Sequence, residues 1–418
     1  MTRTELLSTS VAERFLRYVQ VDTQSADRSS TYPSTLKQLV LLDQLVEELK
    51  AIGITDAVRD EHGYVMATIP STTKKANVPV VGFLAHVDTS PEAEGAGVKP
   101  IVHRDWQGGD IALPDDPSVV LRPSELKQLA KKVGHDVITA SGKTLLGADD
   151  KAGVAEIMAA AEYLMQHPEI AHGAIRIGFT PDEEVGAGVV FFNVEKFGAV
   201  AAYTLDGGPV GTFEIETFSA DAMTVTFQGF NTHPGYAKER MVNSIKVAAD
   251  FIGRLPRPGL SPETTEGREG FVHPNQIEAS VDRTSVRFII RDFVTAGLVE
   301  KEAFVEKLAA EACAAWPGSS FTVEVKESYR NMREVLEQHP EIADNAREGI
   351  RRAGLELVEG AIRGGTDGSR LSYMGLPTPN VFASEYSIHS RMEWTTVQDM
   401  EKAVEVIVNI ARVWEERA

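Results

Sequence analysis

Four apolar runs of strand length, each leading to a side chain able to bind a metal ion, constrain this chain more than any other feature. Residues 78–84 lead into Ala-His-Val-Asp, 174–179 into Thr-Pro-Asp-Glu-Glu, 200–205 into Asp-Gly-Gly, and 380–383 towards His389. Short apolar runs separated by helical periodicity read as buried strands of an α/β sheet. In such sheets ligands gather beyond the carboxyl ends of the strands. The pattern therefore predicts one site assembled from four strand ends.

The rest of the chain supports that layout. Ser10 with Glu13 has the spacing of a capping box ahead of Phe15, Leu16, Tyr18 and Val19, and 34–51 repeats a helical stripe through Leu36, Leu39, Leu42, Leu45 and Leu49. Residues 397–414 read as a last helix capped by Thr396 and Asp399. From about Phe213 the pattern changes. Met223, Val225 and Phe227 alternate as a strand, followed by a helix over 241–255, a strand over 285–290, a helix over 299–316 and a strand over 320–327. A chain of 418 residues exceeds what one core usually supports. The expected fold class is α/β: a mixed-sheet catalytic domain with helices on both faces, built from 1–215 and 330–418. An inserted α+β sandwich over 216–329 interrupts it. Residues 91–147, rich in Gly, Pro and charge, are expected to be lid-like in part or to line a site.

Acidic residues outnumber basic ones 61 to 42, for a net charge of −19. Such a surface repels phosphate backbones and anionic lipid, so neither nucleic acid nor membrane is expected as a partner. The single cysteine, Cys313, excludes an intrachain disulfide and a cysteine zinc cage. The first residues carry an acid and no long apolar stretch, and no run reaches the roughly 20 apolar residues of a membrane span. A cytoplasmic location is expected.

The strand ends carry the chemistry. His86 and Asp88 are two residues apart and share a face, so Asp88 can bond the imidazole nitrogen that points away from a metal. Within Gly147-Ala-Asp-Asp-Lys-Ala-Gly153, the adjacent Asp149 and Asp150 repel, and a divalent cation is the simplest compensation. One carboxylate can bridge two metals about 3.5–4 Å apart. Of Glu183 and Glu184, one can ligate metal while the other faces substrate as a general base. With Asp206 and His389, the set His86, Asp149, Glu184, Asp206 and His389 offers two nitrogens and three carboxylates. Those donors suit zinc, or cobalt or manganese, better than copper or iron–sulfur chemistry. The chain contains no His-Glu-x-x-His, Gly-x-Ser-x-Gly or Gly-x-Gly-x-x-Gly pattern. A metal-activated water is the expected mechanism.

These residues fall in segments that recur in order along nearly the whole chain: AHVDTS at 85–90, GKTLLGADDKAG at 142–153, TPDEEVG at 180–186, TLDGG at 204–208, THPGYAK at 232–238, ETTEGREGF at 263–271, IIRDF at 289–293, NMRE at 331–334 and IRGGTDGSRLSYMGLPTPN at 362–380. The chain thereby resembles the co-catalytic zinc metallopeptidase family that includes carboxypeptidase G and aminoacylase, and within it the peptidase T branch of tripeptide aminopeptidases. The resemblance implies two zinc ions and hydrolysis of the N-terminal peptide bond of tripeptides or other short peptides through a metal-bridging water. A related amide hydrolase acting on dipeptides or N-acyl amino acids is the alternative. His86, Asp149 and Asp206 are assigned to one metal, and Asp149, Glu184 and His389 to the other. Glu183 matches the general base and Asp88 the residue orienting His86; the Asp149–Asp150 peptide is expected to be cis.

In the insertion, which the resemblance implies is a lid, His233 and Arg291 match substrate-binding residues. His233 is suited to polarise the scissile carbonyl and Arg291 to clamp the peptide carboxylate. Asn331, Arg333, Arg363 and Asp367 are weaker candidates of the same kind. The family implies a monomer or homodimer. One region departs from its pattern. Gly-Gly-Tyr-Asn and Gly-Lys-His-Glu around the last ligand are replaced by Ser384-Glu385-Tyr386-Ser387 and Ser390-Arg391-Met392-Glu393, so Glu385 adds a charge where the family has no side chain.

Overall fold

The apolar runs pair with one another. In a computed structural model that describes residues 3–418, with side chains from Ser10 onward, Val81–His86 lies parallel to Ile175–Thr180 on one side and to Ala201–Leu205 on the other. Asn380–Val381 runs parallel to Ala201–Leu205. All four carboxyl ends therefore meet at one edge. Val58–Arg59 and Val65–Ile69 extend the sheet at one side, and Thr212–Thr217 and Val358–Ile362 at the other, giving eight strands in a mixed sheet. Apart from residues 216–217 and 361–362 at the ends of two outer strands, this sheet belongs to the first unit, composed of Met1–Ile215, Glu334–Gly360 and Thr366–Ala418.

Successive side chains on a strand point to opposite faces, and both faces here are covered. Phe83 and Tyr203 stack at 5.6 Å on one of them, where Tyr203 Oη donates to Ile342 O and accepts from Trp414 Nε1. Those partners lie in the helices Pro340–Arg352 and Val397–Arg417. Leu84 and Ala202 point the other way, into a cluster with Phe197 and Leu371. Thr396 caps the last helix by accepting from Asp399 N, as its sequence predicts. At the other end of the chain the expected capping box is absent. The first helix runs Arg3–Tyr18, and Ser10 lies inside it. Its hydroxyl donates to Glu162 and accepts from Arg14 Nε one turn on in the same helix, so it is engaged by side chains and caps no backbone N–H.

Residues 91–147 build a braced substructure. Ile101–His103 and Val137–Thr139 join Trp394–Thr396 in a three-stranded sheet, and Ile111–Leu113 pairs with Asp116–Leu121. Trp106, Leu113, Leu121 and Leu129 form a core with Tyr386 and Trp394, whose rings stack at 4.0 Å. Tyr386 and Trp394 bracket the loop that carries His389, so this packing holds the loop from both ends.

The second unit comprises Glu216–Arg333 and Ala361–Gly365. Its antiparallel sheet is ordered Phe271–Ala279, Arg283–Asp292, Ser219–Gln228, Ser320–Tyr329. The helices Ser244–Gly253 and Thr295–Ala315 bury Val247, Phe251, Leu298 and Val305 against Val225, Phe227, Val286, Phe288 and Ile290. Cys313 packs at the margin of this core.

Candidate metal centre

Val81–His86 ends with His86 and Asp88 both buried. His86 turns Nε2 to Asp149 Oδ1 at 3.0 Å. Its Nδ1 faces Asp88, with the backbone oxygen at 3.0 Å and Oδ1 at 3.3 Å. The Asp88 carboxylate also accepts from Glu183 N at 2.9 Å and Glu184 N at 3.2 Å. It therefore ties together the ends of two neighbouring parallel strands. Asp182 secures the same turn from outside, accepting from Gln38 Nε2 at 2.7 Å and from Ser34.

The second pair of acids opens the helix Ala148–Gln166, and the peptide between Asp149 and Asp150 is cis. Asp150 Oδ2 accepts from His86 N at 2.9 Å. One turn later, Gly153 lets the helix lie against the neighbouring strand, since a Cβ there would stand 2.2 Å from Leu205 O. Asp149 presents Oδ1 to His86 and Oδ2 to His389 Nε2 at 3.2 Å. The same His389 nitrogen lies 2.9 Å from Glu184 Oε2. Donor atoms of His86, Glu183 and Asp206 lie within 4.8 Å of one another, as do those of Asp149, Asp206 and Glu385. The five expected ligands thus converge within the first unit, with Asp149 between the two histidines.

The electrostatics follow from crowding acids in a buried place. Burial pushes the Glu184 carboxyl up to about 8 and Asp206 up to about 7. Glu183, partly exposed, is also driven well above the carboxylate range by desolvation, opposed by His86 and reinforced by Asp206. Burial would raise Asp149 too, but hydrogen bonds with His389 and His86 hold it below the ordinary range. Hydrogen bonds to Asp149 and Glu184 in turn lift His389 to about 11. An acid excess of this kind is best balanced by divalent cations.

Three further residues belong to the site and escaped sequence reasoning as contributors. Glu393 is buried, and its carboxylate accepts from Leu146 N at 2.7 Å, Gly147 N at 2.8 Å and Asp149 N at 3.0 Å. Its one signal in the sequence is that it retains the family's glutamate four residues after the last ligand. Glu92 Oε2 lies 3.1 Å from His389 Nδ1 and does for His389 what Asp88 does for His86. Glu385, noticed only as a departure, sits beside Asp149 and Asp206. Asp367 Oδ2 accepts from Thr180 Oγ1 at 2.8 Å.

His233 and Arg291 lie in the second unit and are not among the residues brought together above. His233 is exposed, and its Nδ1 accepts from Gly235 N at 3.1 Å. That bond selects the neutral tautomer with a proton on Nε2, a donor suited to a carbonyl. Arg291 Nη1 donates to Arg363 O at 3.0 Å, and its guanidinium lies 5.7 Å from the Phe271 ring centroid. Its Nε is buried without a partner among the described residues. Asn331 and Arg363 are engaged within the same unit. Asn331 donates to Phe293 O and accepts from Thr217 N, while Arg363 donates to the carbonyls of Gly267 and Glu269.

Two imidazoles, a carboxylate with one oxygen towards each, and a buried Glu184 Oε1 without a partner among the described residues form a donor set that fits two divalent cations sharing Asp149. Residues 129–413 match the model of peptidase family M20/M25/M40. A peptidase T of Geobacillus kaustophilus is 50% identical over 406 residues, covering 97% of this chain and 98% of that protein. A peptidase T of Shouchella clausii is 50% identical over 408 residues, covering 98% and 99%. Among solved structures, the aminopeptidase PepT from Bacillus cereus shares the fold with a TM-score of 0.74 at 22% identity, over 97% of this chain and 98% of that one. The Bacillus subtilis YXEP protein, described as a dinuclear metal-binding peptidase, does so with a TM-score of 0.67 at 15% identity, over 99% and 100%.

Proposed function

The chain belongs to peptidase family M20/M25/M40, and we propose that it is a dinuclear zinc aminopeptidase that removes the N-terminal residue from tripeptides and other short peptides. One observation carries the reading: Asp149 offers one oxygen to His86 and the other to His389 beside Glu184. In this reading His86, Asp149 and Asp206 hold one cation, and Asp149, Glu184 and His389 the other. The two peptidase T relatives at 50% identity support a short peptide as substrate. An acidic chain with a single cysteine suits the cytoplasm.

When bound, the cations supply Lewis-acid polarisation and ease the deprotonation of water. The chain's own residues do the rest. Asp88 fixes the His86 tautomer and, through Glu183 N, the position of the base. Glu183 takes a proton from the attacking water and delivers it to the leaving amine. His233 donates from Nε2 to the scissile carbonyl, and Arg291 pairs with the peptide carboxylate.

The test compares purified holoenzyme on a tripeptide, the corresponding dipeptide and the N-acetylated tripeptide. The free tripeptide is expected to be cleaved fastest and the acetylated one hardly at all. Comparable cleavage of the acetylated form would move the reading to an amide hydrolase. Glu183→Gln should retain both metals while turnover falls about 10²–10⁴-fold. Activity near the wild-type level in that variant would remove Glu183 as the base.

A further inference from the structure

The loop that delivers His389 also delivers a second carboxylate. Glu385 is only 3% exposed. Its Oε2 accepts from Gly207 N at 2.9 Å, and Oε1 is buried without a hydrogen-bond partner among the described residues. Gly207 directly follows Asp206, so the bond that holds Glu385 fixes it next to that ligand. Oxygens of Glu385, Asp149 and Asp206 lie within 4.8 Å of one another. His389 stands on the other side, 3.2 Å from the second oxygen of Asp149. A buried carboxylate oxygen with no donor is costly unless a cation or a proton compensates it. The neighbouring Asp150 Oδ1 is likewise buried without a donor among the described residues, so a proton shared between Glu385 and Asp150 is the competing account.

We propose that Glu385 is a third carboxylate ligand of the cation held by His86, Asp149 and Asp206, and that it narrows this position's preference for Zn2+ over Mn2+. The inference rests on the dinuclear reading above and concerns only how the two positions differ. With Glu385 the first position has three carboxylates and one imidazole. The position formed by Asp149, Glu184 and His389 has two carboxylates and one imidazole. Zinc is satisfied by four donors, including nitrogen. Manganese prefers oxygen donors and accepts more of them, so an added carboxylate favours it selectively. The first position should therefore lose less affinity than the second when Zn2+ is exchanged for Mn2+.

The experiment equilibrates metal-stripped wild type, Glu385→Gln and Glu385→Gly with buffered Zn2+ alone, Mn2+ alone and both together. Bound metal is counted by mass spectrometry, and bound Mn2+ is followed by electron paramagnetic resonance. Wild type should hold two ions with either metal and, in the mixture, retain more Mn2+ than either variant. Both variants should bind Mn2+ more weakly by on the order of 10-fold or more, with a smaller loss for Zn2+. The Gln variant has the shape and donor capacity of a protonated glutamate, and it decides the matter if the Gly variant fails to fold. Manganese binding by the Gln variant equal to wild type would overturn the ligand role in favour of the shared proton. Equal losses of Mn2+ and Zn2+ affinity in the Gln variant would overturn the selectivity. Fewer than two ions in wild type under every condition would instead overturn the dinuclear reading.

Discussion

Ser384, Ser387 and His389 adopt left-handed backbone conformations, with φ of +59°, +53° and +58°. Non-glycine residues pay about 1–2 kcal/mol for that region, and such strain collects at functional sites. The buried Ser384 hydroxyl has no hydrogen-bond partner among the described residues. Ser384→Gly is therefore expected to stabilise the protein by about 1 kcal/mol, raising Tm by about 2 °C. A denaturant midpoint for Ser384→Gly that stays put or falls would refute the argument. Arg291→Ala should raise KM for peptides with a free carboxylate more than for their amides, with kcat less affected; equal effects on both would sink the clamp. Site residues at strand ends were legible because a strand end is itself visible in sequence. Glu92 and Glu393 were not, because they reach partners 297 and up to 247 positions away through loops without a local pattern.

At the scale of elements, the central strands follow from their apolar runs. What sequence reasoning missed is how a later segment braces the helix Ala148–Gln166. The first backbone N–H groups of a helix have no partner within it. Here Glu393, just before the strand Trp394–Thr396, accepts from Leu146, Gly147 and Asp149 together. One carboxylate thereby sets both the helix start and the pose of the bridging Asp149. Glu393→Ala leaves three buried donors unsatisfied. It should cost about 2–4 kcal/mol in urea unfolding of the metal-free protein. Metal affinity should fall about 10–100-fold by calorimetric titration. Glu393→Gln, which keeps one acceptor oxygen, should fall between; a Gln variant as damaged as the Ala variant would show that charge, not hydrogen bonding, holds the helix start.

At the scale of the whole molecule, so many buried acids in one place make stability depend on pH in opposite senses with and without metal. In the metal-free protein burial pushes Glu184 up to about 8 and Asp206 and Glu393 up to about 7. Glu183 and Glu385 are raised well above their usual range for the same reason. An acid whose folded pKa exceeds its unfolded value binds more protons in the folded state across the interval between them. Stability therefore falls as pH rises through that interval. His389, lifted to about 11 by Asp149 and Glu184, has the same sign from about pH 6.5 upward. Asp149 has the opposite sign, but its interval lies below the ordinary carboxylate range. Elsewhere, burial lowers His103, His135 and His172, which favours stability as pH rises towards about 6.5. Those three titrate alike with or without metal and cancel in a difference. Metal binding requires deprotonated ligands, so the stabilisation that zinc confers grows as pH rises. The gap in Tm between zinc-loaded and chelated protein should therefore widen steadily from pH 5 to 7, the chelated form losing what its buried acids must give up. Scanning calorimetry at half-unit steps measures that gap directly. A gap that is constant or narrows across the interval would mean that these carboxylates do not change protonation when the metal binds.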